Sequence, residues 1–341
     1  MKRKQLTPIA LIFVLAIVLL IFYKPKTKYH TLHGETQGTT YTIKFEYYNR
    51  IDLHSKITQL LHKFDLSLST YDSNSIISKV NRNEPHVKLD KNFKKVFNKA
   101  NEIYHLSGGA FDITVAPIVN AWGFGSGQST KVDSLVIDSL LQLVGMDKIS
   151  LEGGVVVKQN PNITLDVNAI AQGFSVDVVA DFLERKGVEN YMVEIGGELK
   201  TKGVNEKGNI WKIGVDKPVE NSYIPGENLQ AVIQVKDMSL ATSGNYRKFY
   251  EKDGVKYVHS INPKTGYPVM SKLLSATVMT RDCMTADAFA TSFMVMGLEK
   301  SIMFLSDQND IQAYFVYSDD EGNYKTFMTP GMKDALVREM D

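Results

Sequence analysis

The spacing of apolar and polar positions divides the chain into recognisable pieces. Thr39 to Tyr48 (TTYTIKFEYY) alternates β-branched and aromatic residues with others, which predicts a strand entered through Gly38. Leu53, Ile57, Leu60, Leu61 and Phe64 recur at helical spacing and predict a helix from Asp52 to about Asp65; a second is expected from Phe93 to Leu106. Between them LSTYDSNSIISKVNR reads as a serine-rich turn leading into a short amphipathic piece. Tyr71, the large aromatic of that loop, either stacks on a ring or plugs a surface groove.

Residues 107–125 (SGGAFDITVAPIVNAWGFG) place glycines at both ends of an apolar, helix-like segment carrying Asp112, Asn120 and Trp122. The glycines either cap the preceding helix or let backbone approach a ligand closely. A helix from Asp133 to Val144 and a strand pair around Val155 to Val157 and Ile163 to Val167 follow. The second strand is expected to end at Asp166, and a helix to run from Asn168 or Ala169 to Lys186. Such a junction, with small residues and Gly173, is a place to seat phosphate, although it lacks the Gly-Lys-Thr/Ser of a P-loop. Asp166 reads as a half-buried carboxylate or a plain cap.

Further strands are expected at Tyr191 to Glu194, running into the glycine turn Ile195-Gly196-Gly197-Glu198, and at Trp211 to Val215 and Ala231 to Val235. Ala241 to Arg247 reads as a polar turn, and the tail from Glu299 as helix, strand, hairpin at Glu321-Gly322-Asn323, strand and closing helix. No internal repeat or long linker interrupts the chain, which points to a compact α+β unit.

The stretch from His259 to Gly297 holds the most distinctive polarity. The turn Asn262 to Pro268 has prolines at two places and a glycine, so one backbone shape is preferred. In the helix that follows, entered through a Thr285 N-cap, Asp287 and Thr291 share one face among Ala286, Ala288, Phe289, Ala290, Phe293 and Met294. Either the aspartate serves the helix dipole and the threonine bonds its own i−4 carbonyl, or the two oxygens ligate a hard cation.

Composition narrows the function classes. The 341 residues are 43% hydrophobic and 23% charged, as expected of a globular protein. Thirty-nine basic and 38 acidic residues leave a formal net charge of +1, no electrostatic footprint for nucleic acid. The single cysteine, Cys283, excludes an internal disulfide and a cysteine-based zinc cluster. Met1-Lys2-Arg3-Lys4 precedes an apolar run from Ile9 to Tyr23 and then a basic segment at Lys24 to Lys28. That is a membrane-targeting pattern, read here as an uncleaved signal anchor with a cleaved signal peptide as the alternative; the body of the protein is expected outside the cytoplasm.

Several segments, taken together and in order, resemble the ApbE family, the FAD:protein FMN transferases. They are Gly38-Thr39-Thr40-Tyr41, Ser69-Thr70-Tyr71, Gly109-Ala110-Phe111-Asp112, Asn120 through Gly125 and Asp166 through Asp177. The later ones are Gly196-Gly197-Glu198, Thr242 through Tyr246, His259 through Pro268 and Thr285 through Gly297. The resemblance implies an ApbE/T-fold-like α+β domain of largely antiparallel sheets packed with helices, over residues 29–341, after an N-terminal membrane segment in residues 1–28.

It also implies a reaction. FAD is the substrate, Mg²⁺ the cofactor, a threonine hydroxyl of an acceptor protein attacks the FMN-side phosphorus, and AMP leaves. Asp287, Thr291 and the backbone carbonyl of Ala169 match the family's metal ligands. Gln37, Tyr71, Ala110, Phe111, Asp112, Asp166, Gln172 and the backbone at Ile261 match positions lining the FAD site. His259, directly before the rigid turn, is the candidate general base, with a structural histidine as the alternative. The implied acceptors are exported domains of membrane redox complexes, such as sodium-pumping or ferredoxin-linked reductases, with the threonine in an Asp-x-x-[Ser/Thr]-Gly-Ala-Thr-like motif. The implied location is the cell inner membrane with the catalytic domain on the periplasmic side. Many relatives have lysine where this chain has Gln172, which removes a direct lysine contact to phosphate. An Mg²⁺-dependent FAD pyrophosphatase and a non-catalytic flavin-binding protein are the competing readings.

Overall fold

The computed structural model describes residues 27–48, 53–125, 132–218, 226–245, 249–252, 255–258 and 260–340. The chain opens with a hairpin, β1 (Lys28–Thr36) and β2 (Thr39–Tyr47), paired so that Thr36 faces Thr39. The two residues between them, Gln37 and Gly38, both have positive φ (52° and 71°), the turn geometry whose twist matches that of a hairpin. Strand β1 escaped the sequence reading because its side chains alternate exposed with half-buried and none is a core residue.

Helices α1 (Leu53–Leu68), α2 (Ile76–Asn81) and α3 (Lys91–Leu106) follow. Ser75 and Asp90 cap the last two by accepting the Ser78 and Phe93 N–H groups. A 3-10 turn at Ile113–Val115 leads into α4 (Ala116–Ala121), and α5 (Ser134–Leu141) starts after its Asp133 cap. The hairpin β3 (Ile149–Glu152) and β4 (Val155–Lys158) precedes α6 (Asn168–Arg185).

Strands β5 (Tyr191–Ile195), β6 (Glu198–Lys202), β7 (Trp211–Asp216), β8 (Leu229–Val235) and β9 (Ser239–Gly244) come next. A hairpin of β10 (Phe249–Lys252) and β11 (Val255–Val258) precedes β12 (Leu273–Thr280). The chain ends with α7 (Cys283–Met296), α8 (Leu298–Ser306), β13 (Gln312–Ser318), β14 (Tyr324–Met328), α9 (Pro330–Ala335) and β15 (Leu336–Glu339).

An antiparallel eight-stranded sheet in the order β1-β2-β5-β6-β9-β12-β13-β14 forms the middle layer. Its alternation decides what covers each face. Ala276, Val278, Ala313 and Phe315 point to α7, where they meet Phe289 and Phe293. Leu240, Tyr314 and Val316 point the other way, onto the three-stranded sheet β15-β8-β7 through Val215, Ile233 and Val235. At the other end α1 and α6 cover β2 and β5, with Ile57, Leu61, Val176 and Leu183 against Ile43 and Val193. Helix α7 is apolar nearly all round and accordingly buried nearly all round. Each fully buried aromatic or branched side chain here contributes about 1.5–3 kcal/mol.

Several expectations need correction. Residues 163–167 are not a strand, and β4 pairs instead with β3, a strand the sequence reading omitted. Their backbone is taken up piecemeal: Asn81 Oδ1 accepts the Leu165 N–H at 2.8 Å, Asn81 Nδ2 donates to the Leu165 carbonyl at 2.9 Å, and the Ile163 N–H donates to the Asn160 carbonyl at 3.1 Å. The expected polar turn at 241–247 begins as β9, inside the main sheet. Its hydroxyls disguised it; Thr242 meets Thr277 across the ladder, Oγ1 to Oγ1, at 2.9 Å. The cap of α7 is Asp282, not Thr285, which lies inside the helix and donates both its N–H and its hydroxyl to the Asp282 carboxylate. Among the described residues no helix is long and apolar enough to cross a membrane; the expected membrane segment lies outside them.

Candidate active site

The site is built at the crossing of α6 and α7. Gly173 makes that crossing possible: a Cβ there would meet the Cys283 carbonyl oxygen at 2.3 Å and the Asp287 Cβ at 2.7 Å. Two turns of contact set the direction. Asp177 of α6 accepts the Cys283 N–H on Oδ1 at 3.0 Å and the Met284 N–H on Oδ2 at 2.9 Å. One turn earlier in α6, Gly173 donates its N–H to Asp287 Oδ2 at 2.9 Å. The helices therefore run antiparallel: Gly173 lies level with Asp287, and by the same spacing Ala169, a further turn back, falls level with Thr291.

Asp287 is buried, lies in the second turn of α7, and accepts a single hydrogen bond from the described residues, that of Gly173. A dipole-serving first-turn aspartate would be placed otherwise. Burial pushes its carboxyl up to about 7. The Gly173 N–H it receives is the group that closes the helical bond on the Ala169 carbonyl, so the carboxylate competes for that carbonyl's partner. Thr291 does not bond back along its own helix; its Oγ1 lies 3.1 Å from Ser243 Oγ on β9. The i−4 bond belongs to its neighbour Ser292, which donates to the Ala288 carbonyl at 2.7 Å. The α6–α7 crossing thus carries a carboxylate and a hydroxyl one turn apart on α7, both hard oxygen donors, beside the first turns of α6.

Asp177 is the residue the sequence reading passed over. It is buried, ion-paired with Lys200 of β6 at 3.1 Å, and fills the start of α7 from outside while Asp282 caps it from within. The signal was a lone carboxylate among valines four residues after Gly173.

Gln172, beside Gly173, donates from Nε2 to the Ile195 carbonyl at 3.4 Å. Its amide fills the place a Cβ on Gly196 would take, 1.6 Å away, so residues 172 and 196 are matched in size. Ser175 Oγ lies 2.7 Å from the Gln172 carbonyl and 3.3 Å from Gln37 Oε1, which brings the β1–β2 turn to the same side of α6.

Asp166 precedes α6 and accepts the Asn168 N–H at 2.8 Å; burial raises its pKa. It borders a polar cleft of about 220 Å³ shared with Thr70, Asn81, Arg82 and Asn120. Tyr71, the neighbour of Thr70, stands 70% exposed. The Asp166 N–H donates to the Ile113 carbonyl at 2.8 Å, which ties this cleft to the Ala110–Asp112 segment. There Asp112 is buried and pushed up to about 6 by burial, even though it accepts the Thr114 N–H and hydroxyl at 2.8 and 2.6 Å. The Phe111 side chain lies in the main core.

The turn Asn262–Pro268 lies against the same segment: a Cβ on Gly109 would touch Lys264 Cε at 3.3 Å. The turn is held by Gly266 (φ 75°), whose carbonyl accepts the Trp122 indole N–H at 2.8 Å, and by the bridge from Ile261 to Pro268. Ile261 itself is buried among Ile118, Ile137 and Val144. Ser260 donates to Asn245 Oδ1 at 2.8 Å, just past the end of β9, the strand that carries Ser243. The sites foreseen from sequence therefore connect into one region. His259 lies outside the described residues.

Comparison with known proteins identifies the family over most of the chain. The ApbE family model matches residues 37–315. A FAD:protein FMN transferase of Vibrio cholerae is 37% identical over 326 residues, 92% of this chain and 95% of the relative. The structure of the flavin transferase ApbE from Vibrio cholerae superposes with a TM-score of 0.81 at 35% identity, covering 91% of this chain and 100% of that one. The apo form of Pseudomonas stutzeri flavinyl transferase ApbE gives 0.81 at 31% identity, covering 92% and 98%. This chain belongs to the ApbE family.

Proposed function

We infer that the chain is an FAD:protein FMN transferase, moving the FMN moiety of FAD to a threonine hydroxyl of an acceptor protein. Family membership and relatives bearing that name support the reaction. The observation that carries the site is the buried Asp287 carboxylate, which accepts only the Gly173 N–H among the described residues and stands one helical turn from Thr291.

These donors fit Mg²⁺, which takes oxygen ligands from few protein groups and completes its shell with phosphate or water. An ion held there would supply positive charge against the pyrophosphate. Asp287, Thr291 and Ala169 would hold it. Ser243 fixes the Thr291 rotamer, and Gly173 fixes one carboxylate oxygen of Asp287. Gln37, Gln172, Asp166, Tyr71, the Ala110–Asp112 segment and the Ile261 backbone are the residues we assign to FAD, on the family resemblance. Gln172 offers an amide where many relatives offer a cation, so it binds by hydrogen bonds alone. In the step itself the threonine oxygen bonds to the FMN-side phosphorus, the bond from that phosphorus to AMP breaks, and the threonine proton passes to His259. We place the catalytic domain on the periplasmic side of the inner membrane, tethered by residues 1–28, with acceptor domains of membrane redox complexes as partners.

The test is incubation with FAD, Mg²⁺ and an exported acceptor domain carrying the Asp-x-x-[Ser/Thr]-Gly-Ala-Thr sequence. Covalent flavin fluorescence on the denatured acceptor and stoichiometric AMP are expected, and Asp287→Ala should reduce transfer at least about a thousandfold. Free FMN and AMP without labelled acceptor would assign the protein as a pyrophosphatase instead.

A further inference from the structure

Beyond Thr291 the ligand-bearing face of α7 does not close over. Val295, four residues on and on the same face, opens onto a groove of about 470 Å³. Asn262, Pro268 and Met270 form one wall, and Val295, Met296 and Glu299 the other. The groove thus begins at Val295, one helical turn (about 5.4 Å of rise) beyond Thr291. One wall belongs to the same turn that carries Ile261.

Three features of the rim suit a protein segment. Met270 is 92% exposed, and Met303, one turn beyond Glu299 on α8, is 73% exposed. Met270 lines the groove and Met303 follows its lining residue Glu299 by four positions; exposed thioethers so placed are adaptable contact surface. The backbone is also available: Val269 and Leu273 are engaged, by the Ser260 carbonyl and the Ser271 hydroxyl, but the N–H groups of Met270 and Ser271 between them bond to no described residue. An extended chain laid alongside could take those donors. Finally, Tyr267 at 43% exposure adds an aromatic edge next to Pro268.

We propose that this groove, between the Asn262–Pro268 turn with Met270 and the Val295–Glu299 end of α7, seats the threonine-bearing extended segment of the acceptor protein. The inference rests on the transferase reading, because that reaction requires a protein hydroxyl beside the phosphate held at Asp287 and Thr291. The groove supplies an approach that ends there, and its polar and thioether walls fit main chain and mixed side chains.

Met270→Asp and Met303→Asp, both at exposed positions, test it with the full chain, FAD, Mg²⁺ and the acceptor domain named above. The double variant should raise the KM for the acceptor at least about tenfold, with kcat and the FAD dissociation constant changed less than about twofold. A benzophenone side chain placed at Met270 should capture the acceptor domain on illumination, while the same group at Leu135, 79% exposed on α5, should not. An unchanged acceptor KM, or equal capture at both positions, overturns the proposal. So does a parallel loss of FAD affinity, which would give the groove to the flavin nucleotide. If the wild-type chain labels no acceptor at all, the transferase reading itself fails, and the groove assignment with it.

Discussion

A carboxylate buried at Asp287 with one backbone donor is costly as an anion, and the cost has a measurable sign. Its folded pKa, about 7, lies above the ordinary aspartate value near 4. The native state therefore holds an extra proton between those limits, and stability falls as pH rises from about 4 to about 7. Asp112, raised to about 6, adds to the fall over the lower part of that window. In Mg²⁺-free buffer the melting temperature should drop across this range by an amount equivalent to about 4–7 kcal/mol, the larger share from Asp287. Asp287→Asn should remove most of the drop, and saturating Mg²⁺ should reverse it above pH 7 for the wild type but not for the variant. Identical profiles for the two proteins would sink the assignment of Asp287 as the ligand. Asp287 and Thr291 stand out in the sequence as a carboxylate and a hydroxyl at i and i+4 among alanines and phenylalanines, but the pattern alone left a plain structural reading open, and the resemblance to the family supplied the metal role. Ser243 and Asp177 were not legible there: their contacts lie 48 and 106–107 residues away along the chain, and local pattern carries no information at that range.

At the level of elements the decisive contact is helix on helix. Alanine in place of a helical glycine ordinarily stabilises by about 1 kcal/mol. For Gly173→Ala the sign should reverse, because the added methyl meets backbone at 2.3 Å and backbone cannot swing aside. A loss of about 2–4 kcal/mol in urea unfolding is expected, together with weakened Mg²⁺ protection against melting. Asp177→Asn tests the other end of the crossing. It leaves Lys200 without its counter-charge and weakens the hold on α7, and should cost about 3–5 kcal/mol by the same measurement. A change under about 1 kcal/mol in either variant would contradict the geometry. The helices and several strands were legible from periodicity and caps. The 163–167 segment misled because its apolar alternation is real, yet Asn81 rather than a neighbouring strand takes up its backbone. β9 misled in the opposite sense, since hydroxyl residues paired across a buried ladder look like a turn.

Across the whole molecule, one sheet interleaves distant parts of the chain. Strands β6, β9 and β12 are neighbours, so the site strand β9 is flanked on both sides rather than lying at an edge. The α+β class was legible from the succession of elements; the strand order was not, because it is set by which faces cover one another. Described structure begins at Thr27, one residue ahead of β1, and residues 1–28 read in the sequence as a membrane-targeting segment apart from the α+β unit. A chain started at Thr27 should therefore fold with a melting temperature within about 3 °C of the full chain and retain transfer to a soluble acceptor. Loss of folding in that shortened chain would show that residues 1–26 take part in the domain.

The Gly173 amide has one more consequence, a spectroscopic one. Its proton points at Asp287 Oδ2 from the buried face of α6, so its resonance should move with the charge state of that carboxylate and again when a cation arrives. A single glycine cross-peak followed through a pH series and a magnesium titration would then read the occupancy of the site directly, with no flavin, acceptor or turnover required.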